Sequence, residues 1–313
     1  MTISATGIFD ELFLPTLAIS FLLQVKSSWF VDFLSQFQLV EQPILWQRTL
    51  GDFLLAHKLT LDTTENFWIT SQLLFFTIAL VMYIFLYHTS IQLQSLHVHG
   101  YITLAVTSSS AAAMALFIAQ ITNAKDRSQS LVNLGFHQTL AQLISTVTCC
   151  SIVVFLSDAT LFQVKVAFIF LAVVIYLTPF QWYTTSKEIK DWPKSWFILF
   201  LVFVGTFMMF HHFYLTFSLL MEWMNLKTIS LVAFGYPHQF SVTVDLICCI
   251  ATLAVFMLFE FCIENLKFSF TMTLLALFMF PLIILMAFLV SPGALFIYFL
   301  AYKENTSPSD IKL

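Results

Sequence analysis

The sequence predicts an all-α membrane protein, a bundle of about seven transmembrane helices preceded by an amphipathic helix at the membrane surface. Three observations carry that expectation. Of 313 residues, 59% are hydrophobic and only 10% charged, against about 25% charged in water-soluble domains. Mean hydropathy is +0.89, so a compact fold in water would expose large apolar patches and aggregate. Apolar runs long enough to cross a bilayer, about 20 residues each, recur along most of the chain.

Residues 1–66 read as a cytoplasmic and interfacial segment. The apolar run from Leu12 to Val25 is about 14 residues, which favours a re-entrant or interfacial piece over a full crossing. A crossing there would add an eighth span and move the N-terminus to the other side. Within "WFVDFLSQFQLV" (29–40), Phe30, Phe33, Leu34 and Phe37 share one helical face, while Asp32, Ser35 and Gln36 lie elsewhere. That one-sidedness suits a helix lying along the membrane. Asp10 and Glu11 stand before the first apolar run, which argues against a cleaved signal peptide.

The transmembrane domain is expected over 67–301, with spans near 67–87, 101–122, 138–157, 162–181, 195–220, 241–263 and 269–300. The run "SSSAAAMA" (108–115) in the second span suits a close helix–helix contact. The last stretch contains Pro281 and Pro292, so it reads as a span that kinks and then ends in a short segment. Residues 302–313 form a short tail on the non-cytoplasmic side.

Alternating seven spans puts Lys26, Arg48, Lys58, Lys125, Arg127, Lys187, Lys190, Lys194 and Lys267 on one side, and Lys165, Lys227, Lys303 and Lys312 on the other. The positive-inside rule makes the richer side cytoplasmic. The N-terminus is then inside and the C-terminus outside. On that outer tail, Asn305-Thr306-Ser307 is a candidate glycosylation sequon, weakened by Pro308 directly after it.

Ionisable groups inside a membrane are costly and mark candidate sites. His211 and His212 lie within "FMMFHHFYLTF" (207–217), and His238, Asp245 and Lys165 fall at a similar depth near the non-cytoplasmic boundary. Imidazoles and a carboxylate are the set for a metal ligand or an acid–base pair. Interfacial hydrogen bonding between helices explains them more simply. Adjacent helical residues point about 100° apart, so His211 and His212 cannot both aim at one point. Asp245 is expected to be paired inside the protein, with a histidine or Lys165 as partner. Neither an HxxHH nor an HxxxH box occurs, and 269–300 carries no lysine to hold retinal.

The five cysteines, Cys149, Cys150, Cys248, Cys249 and Cys262, all sit in apolar segments and read as small packing residues. A net charge of −4 without a basic tract excludes nucleic acid as a partner. The partners implied are the lipid bilayer and, as an option, other membrane subunits; the sequence leaves any cofactor open. The functional expectation is a non-enzymatic protein that binds, senses or transports a small or lipidic ligand, or serves in a membrane complex. The alternative is a lipid-modifying enzyme of the endomembranes working at the histidine/aspartate face.

Overall fold

The computed structural model describes residues 63–91, 95–107, 109–123, 136–156, 163, 166–167, 194–222, 233, 237–265 and 270–306. Among them there are eight helices and no strand: α1 Thr64–Ile91, α2 Ser95–Thr107, α3 Ser110–Asn123, α4 Phe136–Phe155, α5 Lys194–Glu222, α6 Pro237–Asn265, α7 Phe270–Val290 and α8 Pro292–Thr306. The segments 12–25 and 29–40, and nearly all of 162–181, lie outside the described residues.

Three of these helices, over Thr64–Tyr87, Lys194–Leu219 and Val242–Glu260, are long and apolar enough to cross a membrane. The pair Phe278–Val290 and Pro292–Thr306 makes a fourth candidate, bent by 115° at its break. Ser110–Ile121 and Ile144–Phe155 are shorter apolar helices.

α1 is the axis of the bundle. Its apolar window is 83% buried, against 33% for that of α5. Aromatic rings of three other helices close on it: Phe117 and Phe256 meet Tyr83, and Phe296 stacks on Phe76. α5 lies at the edge, with Trp196, Leu199, Phe203, Phe210, Tyr214 and Phe217 exposed along one stripe at helical spacing. An exposed aromatic stripe of that kind is stable only against lipid or another apolar surface.

The direction of each helix follows from its contacts. Trp68, near the start of α1, donates from Nε1 to Thr216 Oγ1 near the end of α5 at 2.9 Å. α1 and α5 are therefore antiparallel. The sequence expectation placed the starts of 67–87 and 195–220 on one side of the membrane, whereas these contacts place them at opposite ends. Lys194 Nζ meets the Asn305 carbonyl at 3.5 Å, and Thr206 Oγ1 meets the Tyr298 hydroxyl at 3.0 Å, so α8 runs antiparallel to α5. Tyr83 packs on Phe256, and Ile69 packs with Leu246 and Ile250, so α6 runs parallel to α1. We call the two ends of the bundle the Thr64 face and the Lys194 face.

Two expected spans are hairpins instead. Over 101–122 the chain is two short helices folded back on each other: the Tyr101 hydroxyl donates to Gln120 Oε1, and the Tyr101 and Phe117 rings meet at 5.5 Å. One continuous helix would hold residues 101 and 120 about 28 Å apart. Phe117 also packs on Tyr83 and Tyr87, so α3 returns to the Lys194 face from which α2 descended. The stretch 269–300 breaks at Ser291. α8 then returns to the Lys194 face, where Lys303 pairs with Glu260 at 2.7 Å. α8 continues through Asn305 to Thr306, past the expected domain end at 301. Counting apolar runs misses both reversals, because a hairpin of two half-length helices has the same hydropathy as one span.

Candidate functional site at two helix breaks

Both hairpins turn against the middle of α1. Thr77 Oγ1 lies 2.6 Å from Ser110 Oγ at the tip of the first. Gly293, just past the tip of the second, sits so close to α1 that an added Cβ would stand 2.8 Å from the Phe75 backbone carbon. Glycine is required there because only a backbone without a side chain approaches another helix so closely.

A helix that starts inside a bundle leaves N–H groups without partners, and lipid supplies none. At the first tip the answer is an N-cap. Ser109 Oγ accepts from Ala112 N at 3.1 Å, which is the position that the hydroxyl of an N-cap serine serves. The earlier N–H groups are taken by Asp245 of α6. Its Oδ1 accepts from Ser109 Oγ at 2.7 Å and from Ala111 N at 3.4 Å, and its Oδ2 accepts from Ser110 N at 3.1 Å. Asp245 is 4% exposed. The positive end of the α3 dipole and three donors stabilise its charge. The serine run expected to mark a close helix contact is thus also a helix start.

At the second tip the solution is mostly local. Ser291 turns the chain with φ 96°, in a region that side-chain-bearing residues rarely adopt. Its carbonyl accepts from Leu295 N at 2.9 Å. Pro292 opens α8, where its missing N–H costs nothing. The end of α7 carries the opposite problem, carbonyls without donors. His212 Nε2 meets the Phe288 carbonyl at 2.9 Å. A carbonyl only accepts, so this nitrogen carries the proton. The imidazole is stacked on Trp68 with centroids 6.2 Å apart.

The two deeply placed ionisable groups therefore complement opposite helix poles: an acid at the start of α3, an imidazole at the end of α7. They are not one constellation. His212 bonds a carbonyl at the end of α7 and Asp245 the donors at the start of α3. His211 points elsewhere, edge-on between Phe67 and Phe75 at 6.0 and 5.1 Å, as the divergence of neighbouring residues requires. His238 lies in the first turn of α6, Lys165 lies outside the described residues, and Asn305 is exposed in the last turn of α8. Among the described residues no group of three His, Cys, Asp or Glu side chains is placed to hold a metal. Cys149, Cys150 and Cys249 are buried free thiols. Among the described residues, the partners of Asp245 are the groups of a helix start.

No protein-family model, curated protein or solved structure matches this chain.

Sequence reasoning missed Ser291 and Gln72. Gln72 is 3% exposed and lies one turn before Phe75 and Phe76 on α1, and Ser291 is wholly buried. Neither Gln72 Oε1 nor Ser291 Oγ has a hydrogen-bond partner. The sequence signal for Ser291 was present, since serine before Pro-Gly is a helix start.

Proposed function

We propose that this chain is a multi-pass integral membrane protein without catalytic chemistry, which binds or transports a small polar ligand at the depth where the two hairpins end. One observation carries this reading. Two helix breaks converge on Phe75–Thr77 of α1, and that level of the bundle holds buried polar groups, with Gln72 Oε1 and Ser291 Oγ unsatisfied. A buried unsatisfied polar atom costs about 1–3 kcal/mol, a cost that persists where a ligand uses the atom. Discontinuous helices whose ends face the middle of a bundle are also how many transporters hold their solutes. The enzyme alternative needs His212 and Asp245 at one point, and each is committed to a different helix end.

Accessibility of the tips is the test. In a cysteine-free background reconstituted into vesicles, Ser291→Cys and Thr77→Cys are expected to react with a small membrane-impermeant thiol reagent, and Phe203→Cys on the lipid face is not. Folded protein in which neither position reacts would have sealed hairpins that serve packing alone, and the ligand reading would fall.

A further inference from the structure

We propose that Gln72, Gln239 and Ser291 are the polar contacts of a site for an uncharged solute. Such a solute carries hydrogen-bond donors and acceptors side by side, as a primary carboxamide or a vicinal diol does. The proposal rests on the ligand reading above and names the chemical class that the site takes.

Three elements bring these groups to one place: α1, α6 and the α7–α8 break. They share one apolar cluster, to which Leu73, Val242, Ala287 and Leu295 belong. Each polar residue is the neighbour of a member. Gln72 directly precedes Leu73, and Gln239 stands one turn before Val242. The Thr243 hydroxyl lies 2.8 Å from the Gln239 carbonyl and 2.8 Å from that of Ala233, another member of the cluster. Ser291 falls between the other two members. Its N–H bonds the Ala287 carbonyl at 3.1 Å, and its carbonyl accepts from Leu295 N at 2.9 Å. Gln72, Gln239 and Ser291 are 3%, 1% and 0% exposed.

Their free valences define the ligand. Gln72 spends Nε2 on the Ser71 hydroxyl at 3.3 Å and keeps Oε1, an acceptor, unpaired. Gln239 has both Oε1 and Nε2 unpaired, so its amide offers an acceptor and two donor hydrogens. Ser291 Oγ, also unpaired, serves in either role. Buried amides are normally bonded at both ends. Packing alone does not call for them, since leucine fills about the same volume with no polar group to desolvate. A solute with adjacent donor and acceptor completes all three.

The surroundings argue against a charged solute. The described parts of α1, α6, α7 and α8 hold no arginine and one lysine, Lys303, which sits in the last turn of α8 and pairs with Glu260. A buried anion would find no counter-charge beside the cluster, and an unpaired buried charge is costly. Asp245 would draw a cation, but its oxygens accept from Ser109 and from the first N–H groups of α3. His212 is committed through Nε2 to the Phe288 carbonyl. What remains free is neutral.

Thiol protection in the full-length protein tests the class. The reporter is Ser291→Cys in a cysteine-free background, held in nanodiscs so that solutes reach both faces. Its rate with a small thiol reagent is measured in acetamide, in glycerol, and in acetate and acetamidinium, which have the shape of acetamide and opposite charges. Thr306→Cys, exposed in the last turn of α8, corrects for effects on the reagent itself. Acetamide or glycerol should slow the reporter about threefold, the slowing expected at about twice the Kd. Protection by acetamide points to a carboxamide, and protection by glycerol to a polyol. Gln239→Leu in the reporter background should abolish that protection; if it does not fold, Gln72→Leu should weaken it. A reporter that reacts but is slowed by no neutral probe would overturn the assignment. So would equal protection by acetate or acetamidinium, or protection that survives the leucine substitution. Each of those results leaves access to the tip intact, whereas a reporter that never reacts fails the ligand reading and this proposal with it.

Discussion

The two hairpins solve one problem by different means. Each ends a helix in the middle of the bundle, against the same half-turn of α1, and each must satisfy the backbone groups that the break exposes. The α2–α3 break is held from a distance, by an acid 136 residues further along the chain. The α7–α8 break is held by its own sequence, Ser291-Pro292-Gly293, with one histidine added from α5. In both cases the added group supplies what the exposed backbone lacks, an acceptor at a helix start and a donor at a helix end. A break made by local residues should tolerate loss of its distant partner. A break that depends on a distant partner should not.

Five substitutions press on that contrast, and the largest effect belongs to the non-local break. Asp245→Leu leaves three buried donors without their acceptor. It should cost about 3–5 kcal/mol, read as lost folded yield or a large fall in the unfolding midpoint. A near-normal midpoint would mean that α3 does not depend on Asp245. Next comes Gly293→Ala, whose Cβ would meet α1 backbone at 2.8 Å. A destabilisation of about 1–3 kcal/mol is expected, while Gly100→Ala in α2, with open space around it, should stabilise by about 0.5–1 kcal/mol. Equal effects from the two glycines would deny the close approach of α8 to α1.

His212→Phe keeps a ring on Trp68 and removes the donor to the Phe288 carbonyl. Because the α7–α8 turn is locally encoded, the loss should be only about 1 kcal/mol, well below that of Asp245→Leu. A loss as large as that for Asp245 would erase the distinction between the breaks. The last change is a gain. Ser291→Gly relieves φ 96° and gives up a hydroxyl that has no partner, so thermal stability should rise by about 1 kcal/mol.

What the sequence discloses follows the same division. The α7–α8 break was legible: Pro292 in a long apolar stretch marked a kink and a short final segment, although the return to the same face was not foreseen. Pro281 is the counterexample, a proline that stays inside α7. The α2–α3 break was illegible. Three serines followed by three alanines in an apolar run read as a tight helix contact, and no local pattern names Asp245 as their cap. Asp245 itself was readable as a buried, paired acid. Its partner was not, because a search among side chains passes over the N–H groups of a helix start. The histidine pair split as adjacent helical positions must, and only its depth, level with the end of α7, depended on the fold.

The distance between residues 101 and 120 tests the central claim most directly, that the second apolar stretch is a hairpin and not a span. Tyr101 and Gln120 touch in the folded chain. In a cysteine-free background, Tyr101→Cys with Gln120→Cys should be joined by a short bifunctional thiol cross-linker, and spin labels at the two positions should report a separation at the short limit of pulsed EPR. No cross-link, together with a label separation near about 28 Å, the length of one continuous helix between these positions, would contradict the hairpin and the arrangement built on it.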